Sequence, residues 1–380
     1  MAAGVPRRRE GGVAAIMYNL GLELEGLGHH VSYLFYEDLM SGEEMTGRFR
    51  DVHFTIRLAR HIRENRKKYS VVNLHAPVGF GYGLMKALSS SNGLPPYVMT
   101  LHGLEERRIH VMRREVKKGR AWHFCFKNRL WHRIYHQPRY DLCIKTADRA
   151  HCYSRDVWTI LQLKYNLDSN KVAYIPNGVQ ERFFIDRDYT DRMPVRLLYA
   201  GTWLDQRGIF YLRDALAALK LKFQEWTFSI AGPGVPEAEL KEFFGELLRE
   251  NIVVIPTLAA EEMPGLYAEH DIFVFPSLVE GLPSVLLEAM ASGMPAVTTE
   301  TCGMADVVED GTTGLSIPPA DAAALETAIL KLCKSLDLRQ RLGRAGQGAM
   351  RRLTWKKSAG KLESVFASAM QNGDMTGKRG

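Results

Sequence analysis

Short apolar runs alternate with stretches of helical periodicity along the whole chain, and that alternation admits few folds. Runs at 31–36, 70–74, 97–101, 142–145 and 172–175 have the length of buried strands, as do 195–200, 226–231, 252–255, 271–275 and 296–299. Between most of them apolar residues recur at helical spacing. Val13, Ile16, Met17, Leu20 and Leu24 form one such set, with Gly28 placed to end the helix. Strands alternating with helices imply α/β architecture with parallel sheets covered on both faces. At about 150 residues per domain, 380 residues suit two such domains. The polar stretch 186–194 reads as the linker, giving a first domain over 1–185 and a second over 190–350. One feature is irregular. A doubly wound domain opens with a buried strand that leads into its first glycine loop. Only Met1 to Val5 precede the loop-like residues 6–12. The expectation is a first domain whose central strand is a stub beside an unfilled slot, with the gene product starting upstream.

Composition excludes several classes. With 46% hydrophobic and 24% charged residues, the chain is neither disordered nor fibrous. No apolar run approaches the roughly 20 residues of a membrane span. Arg7, Arg8, Arg9 and Glu10 stand where a signal peptide would have its apolar core. Five cysteines without a C-x-x-C pair read as reduced thiols of a cytoplasmic protein. Charge is lopsided: residues 1–190 hold 30 Lys and Arg against 19 Asp and Glu, residues 191–380 hold 20 against 24. The basic half is expected to face an anionic partner. Its densest part runs from Arg107 to Arg139, where eight basic residues from Arg113 to Arg133 interleave with Trp122, Phe124, Phe126, Trp131 and Tyr135. That mixture suits an anionic membrane surface or an ordinary helical excursion with its aromatics packed inward; nucleic acid is not expected.

The chemistry concentrates at 276–290. An apolar strand ends at Phe275, a turn carries Glu280, and a helix begins near Ser284 after Pro283. Free amides at a helix start, at the positive end of its dipole, suit a diphosphate. Glu280 on the loop and Glu288 on the second helical turn offer acceptors for sugar hydroxyls. By spacing alone, a surface helix with two solvated carboxylates explains the pattern better. Asp186 and Asp188 flank Arg187 as D-x-D and read as solvated charge in the linker. No His/Cys cluster has metal spacing, so no metal is expected.

The E-x7-E pattern, followed by Ala-Met, Gly293 and Pro295, resembles retaining, nucleotide-sugar-dependent glycosyltransferase family 4, of the GT-B fold. Other segments fall in that family's order: Gly11-Gly12-Val13, Thr100-Leu101-His102-Gly103, Ala147-Asp148 with Ser154, Ile175-Pro176-Asn177-Gly178, Gly201 with Arg207-Gly208, and Asp310-Gly311-Thr312-Thr313-Gly314. The resemblance covers about residues 11–365. It implies two Rossmann-like doubly wound domains facing across a cleft, with a C-terminal helix at about 355–370 returning to the first domain. Leu362, Val365, Phe366 and Met370 at helical spacing agree with such a helix.

Carried onto this chain, the resemblance implies catalytic roles for Glu280, His102 and Arg207. Gly12, Thr202, Leu282, Ser284, Val285 and Glu288 would bind the donor: Gly12 by close backbone approach, Glu288 at the ribose. A hexosyl group would move with retention to an acceptor hydroxyl on a glycan or lipid-linked glycan, without metal or other cofactor. The expected setting is polysaccharide biosynthesis in the cytoplasm, with peripheral contact to the inner face of the membrane. The family usually has Arg where Thr202 stands and Lys where Arg207 stands; Gln180 and Asp306 also depart from it. Two other readings share this architecture, a silent nucleotide-sugar-binding relative and a nucleotide-sugar 2-epimerase.

Overall fold

The computed structural model describes the chain except residues 8–11, 42–48, 89–92, 122–129 and 377–380, together with the side chains of His132 and of 372–376. It divides into two compact units. Unit 1 is Met1–Glu106, Phe126–Asn177 and Trp355–Gly380; unit 2 is Arg107–Cys125 and Gly178–Thr354. The second unit therefore begins before the polar stretch 186–194 and takes in the first part of the basic segment. That polar stretch is bound along unit 2 rather than free. Arg187 donates to the carbonyls of Ser292 (2.9 Å), His270 (2.7 Å) and Tyr267, and Tyr189 donates to Gly293 O at 2.6 Å. Arg187 is thus a half-buried clamp rather than free charge, and loss of water lowers its pKa.

Unit 1 holds a parallel sheet of four strands in the order β1-β2-β3-β4: Val72–His75, Tyr97–Leu101, Arg149–Cys152 and Val172–Tyr174. The first three are buried throughout, as strands covered on both faces must be. Residues 142–145 lie inside the helix Gln137–Thr146; the strand comes after them. The polar ends of β3 (Arg149, His151) broke the apolar run by which strands are recognised. Residues 31–36 contribute one bridge, Leu34 with Ala2, and Ala2 bridges Leu74 on its other side. The stub thus occupies the central place, and its backbone is paired: Ala2 N–H to Asn73 O, His75 N–H to Ala2 O, and Leu34 N–H to Met1 O. A cavity of about 260 Å³ does lie beside Met1 and Ala2, lined by Leu24, Leu34, Leu58 and Phe366 among others.

Two of the motif segments in unit 1 act structurally. Asp148 accepts the Tyr97 N–H at 2.7 Å and pairs with Lys86. Ser154 caps the helix Arg155–Tyr165 by accepting from Val157 N–H at 3.3 Å. The helix Trp355–Thr376 extends beyond the expected end at about 370 and packs on the first helix, Gly12–Gly26. Ser358 donates to Pro176 O and Arg149 reaches Ser368, so the helix is stitched into unit 1.

Unit 2 holds a six-stranded parallel sheet, ordered β10-β9-β8-β5-β6-β7. In chain order the strands are β5 Val195–Ala200, β6 Trp226–Ala231, β7 Ile252–Ile255, β8 Ile272–Phe275, β9 Ala296–Thr299 and β10 Leu315–Ile317. The last, short and only partly buried, carried no apolar run to betray it. The chain builds outward from β5 to β7 and then returns to lay β8 against β5. That reversal is the switch point at which open α/β sheets bind ligands beyond the strand ends. No helix among the described residues is long and apolar enough to cross a membrane.

Ser154→Ala should lower stability by about 1 kcal/mol, the usual worth of a cap, measured by urea unfolding. Ligand binding by the folded protein should be unchanged.

Candidate functional site

Both strands at the unit 2 switch point end in loops that carry predicted residues. β5 leads to Gly201, Thr202 and the short turn Asp205–Arg207; β8 leads to Pro276, Glu280 and the helix Ser284–Ala291. The two loops are joined at Gly208. Its φ is +74°, and a Cβ there would lie 2.1 Å from Pro276 O, so no other residue fits. Leu278 N–H and Ser277 Oγ–H both donate to Gln206 O, at 2.8 and 3.1 Å. This zipper sets Arg207 against Glu280: Nη1 lies 2.5 Å from Oε1. Arg207 also lies over the Phe275 ring, 5.0 Å from its centroid.

Glu280 does not project from its loop as the sequence suggested. Its side chain is 13% exposed, and burial raises its pKa against the opposing pull of Arg207. The reason is the turn at 302–304. Cys302, at φ +52°, accepts the Glu280 N–H on Sγ at 3.4 Å, and Gly303 N–H donates to Gly281 O at 2.8 Å. The pair is charged but poorly satisfied. Arg207 Nε and Nη1 and Glu280 Oε1 are buried and make no directed hydrogen bond. Such groups cost several kcal/mol to bury unless something completes them.

Glu288 is half-buried on its helix, and Tyr267, wholly buried, donates to its Oε2 at 3.1 Å. Burial raises the Glu288 carboxyl to about 7, while the Tyr267 hydroxyl and Arg182 pull it back. Neither Tyr267 nor Arg182 carried a sequence signal. Ser284 and Val285 head the helix, where amides have no intrahelical acceptor; Leu282 is buried and Thr202 exposed.

Unit 1 carries Gly12 and His102. Gly12 opens the first helix at φ +62° with nothing within 4 Å of an added Cβ; its neighbour Gly11 lies outside the described residues. His102 follows β2. It packs between His75 and Tyr153, with ring centroids at 4.9 and 5.0 Å, and its Nε2 meets His75 Nδ1 at 2.7 Å. His151 beside them contacts Thr100 Oγ1 at 2.7 Å. Burial lowers His102 to about 4 and His151 to about 3, and His75 well below its usual value. All three are neutral at pH 7. The sequence singled out His102 alone; His75 and His151 sit inside strands, where a lone polar residue reads as incidental. Among the described residues no group of His, Cys, Asp or Glu is placed to hold a metal ion.

Known proteins resolve what such a pair of units is. The Glycosyltransferase Family 4 profile matches residues 10–183, and that of Glycosyl transferases group 1 matches 194–335. The chain belongs to this family of glycosyltransferases, and its fold is GT-B. Across 94% of both chains it is 22% identical to an uncharacterized glycosyltransferase of Methanocaldococcus jannaschii. It is 29% identical to mannosylfructose-phosphate synthase of Agrobacterium fabrum, over 80% of this chain and 69% of that one. Among solved structures it resembles a sucrose-phosphate synthase of Thermosynechococcus elongatus, with a TM-score of 0.77 at 18% identity, covering 97% and 96% of the two chains. Matches to several other curated glycosyltransferases span about half their length.

Two glycines separate close approach from backbone strain. Gly208→Ala should cost about 3 kcal/mol or more, since it adds a clash to a left-handed φ. Gly12→Ala, with open space around it, should cost only the strain, about 1–2 kcal/mol. Denaturant melts of both variants give the comparison.

Proposed function

We propose that this glycosyltransferase moves a sugar from a nucleotide-sugar donor to an acceptor hydroxyl, with retention and without a metal ion. The observation that carries the reading is the Arg207–Glu280 pair. It is largely buried at the switch point, and Arg207 Nε and Nη1 and Glu280 Oε1 make no directed hydrogen bond. A diphosphate oxygen completes the guanidinium, whose planar fork suits phosphate, and a sugar hydroxyl completes the carboxylate. The amides at Ser284 and Val285 supply further phosphate donors with the helix dipole behind them. The guanidinium and amides stabilise charge growing on the leaving diphosphate, so they act most strongly where the transition state differs from the ground state. The diphosphate in turn accepts the proton of the attacking hydroxyl, and the new bond forms on the face from which it departs. Thr202, standing where the family usually has Arg, removes one cation and leaves Arg207 as the principal clamp. Gly12 admits the donor or acceptor closely, and His102 contacts the transferred sugar.

The acceptor is a glycan or lipid-linked glycan on this reading, reached at an anionic membrane surface. The helix Glu105–Lys117 supports that setting in a modified form. Ile109 and Met112 are buried, while His110, Arg113, Arg114 and Lys117 are exposed. Glu115, taking Tyr211 OH at 2.8 Å, and Arg120, pairing with Asp214 at 2.8 Å, fix the segment to unit 2. This helix turns its apolar side inward and offers lipid a charged face, while farther along the segment Leu130 and Ile134 are exposed. Trp122, Phe124 and Phe126 lie outside the described residues.

A thermal-shift screen of nucleotide sugars tests donor use directly, because a bound donor raises apparent stability by mass action. One nucleotide sugar should raise the melting temperature by several degrees; no shift with any of them contradicts the reading. Glu280→Gln should cut turnover on the order of 10²-fold, the scale for losing one charge-stabilising group. It should also lower stability, since Arg207 loses its counter-charge.

The Glu288 carboxyl gives a pH signature. Below about 7 it is protonated; above it the carboxylate accepts ribose hydroxyls through both oxygens. Donor affinity should therefore rise with pH through that value, read by calorimetry, and Glu288→Gln should flatten the profile. Membrane contact should require anionic lipid and weaken as salt rises in liposome sedimentation. Equal binding to neutral vesicles removes the electrostatic account.

A further inference from the structure

We infer that His75 is a positioning residue: through its Nδ1 it holds His102 in the tautomer that carries its proton on Nδ1, so that His102 presents an N–H rather than a lone pair. The functional consequence rests on the reading that His102 contacts the donor sugar; the tautomer itself does not.

His75 Nδ1 and His102 Nε2 lie 2.7 Å apart. Two neutral imidazoles meet at that distance only if one nitrogen carries a proton and the other a lone pair. Both rings are neutral at pH 7, because burial lowers both pKa values. Two arrangements remain. If His102 donates, His75 must carry its second proton position on Nε2. That atom is buried, on a residue 2% exposed, and has no hydrogen-bond partner. An orphaned interior N–H is the rarer and costlier kind of unsatisfied group. If His75 donates, its Nε2 is a buried lone pair and no proton is stranded in the interior. The second arrangement prevails, and it fixes His102 as the Nδ1–H form.

The surroundings keep this choice in place. His75 ends β1 between β2 and the bridge from Ala2, with its backbone N–H held by Ala2 O at 2.9 Å. His102 lies between the rings of His75 and Tyr153, tilted 31° and 34° to them, so it has little freedom to turn its Nε2 away. Nε2 being engaged, Nδ1 is the ring nitrogen left for a ligand; among the described residues it has no partner. An N–H there donates to a sugar hydroxyl oxygen. The opposite tautomer would offer only a lone pair to the same atom.

The test is long-range ¹H–¹⁵N NMR on histidine-labelled full-length protein, with the His102 ring assigned by its loss in His102→Asn. The wild-type spectrum should place His102 Nδ1 at a protonated shift and Nε2 at an unprotonated one. His102 protonated on Nε2 overturns the inference, and this arm needs no folded variant. His75→Phe keeps an aromatic ring but removes the donor, so His102 should become a mixture of tautomers. His75→Asn, whose amide N–H reaches the place of Nδ1, should restore the single form. An unchanged His102 tautomer in His75→Phe also overturns the inference. The kinetic arm separates the two levels. With the donor found by screening, kcat/KM should fall about tenfold in His75→Phe, the scale of one hydrogen bond, and recover in His75→Asn. A tautomer change without a kinetic one supports the inference and removes His102 from the donor site.

Discussion

Glycine at position 208 is pressed so closely on the carbonyl of Pro276 that any side chain would collide, and the geometry of unit 2 beyond its sheet depends on that contact. β5 and β8 are neighbours because the chain reverses its direction of growth between β7 and β8. Adjacent strands alone leave their following loops free to diverge. The close approach at Gly208, with the bonds from Leu278 and Ser277 to Gln206 O, ties them together. Arg207 and Glu280 then meet in a space too dry to leave either unpaired. The turn at Cys302 and Gly303 closes on Glu280 from β9 and completes the enclosure. A backbone constraint thus produces a close Arg–Glu pair with buried atoms that make no directed hydrogen bond.

Unit 1 reaches a similar result by other means. Its polar centre is a set of aromatic rings, His75, His102, His151 and Tyr153, at or near the ends of β1 to β3. Burial keeps the three imidazoles neutral, so they act through hydrogen-bond direction and not through charge. Unit 2 carries the close Arg207–Glu280 pair, and unit 1 carries the neutral imidazoles and a glycine with open space around it at the start of its first helix.

The sequence made the architecture legible where burial on both faces wrote continuous apolar runs. All five second-half strands that it suggested are present. It failed where that signal was diluted. β3 carries Arg149 and His151, so the apolar run 142–145 of the preceding helix stood out instead. Glu280, Glu288, Arg207 and His102 were legible through motif order, since helix starts and strand ends have recognisable punctuation. Their environment was not. Nothing in the spacing of Glu280 told that Cys302 would fold over it, or that Tyr267, twenty-one residues before Glu288, would bond to its carboxylate. Arg187 looked like solvated linker charge because three carbonyl acceptors from distant parts of the chain leave no local mark.

The central claim is that the buried Arg207–Glu280 pair serves front-face sugar transfer from a nucleotide donor. The most direct measurement is the anomeric configuration of the first-formed product, followed by proton NMR from the start of the reaction. The account predicts a product with the donor's own anomeric configuration, formed before any mutarotation, with no glycosyl-enzyme adduct in the protein's mass spectrum. An inverted first product, or a covalent sugar on the protein, would contradict it.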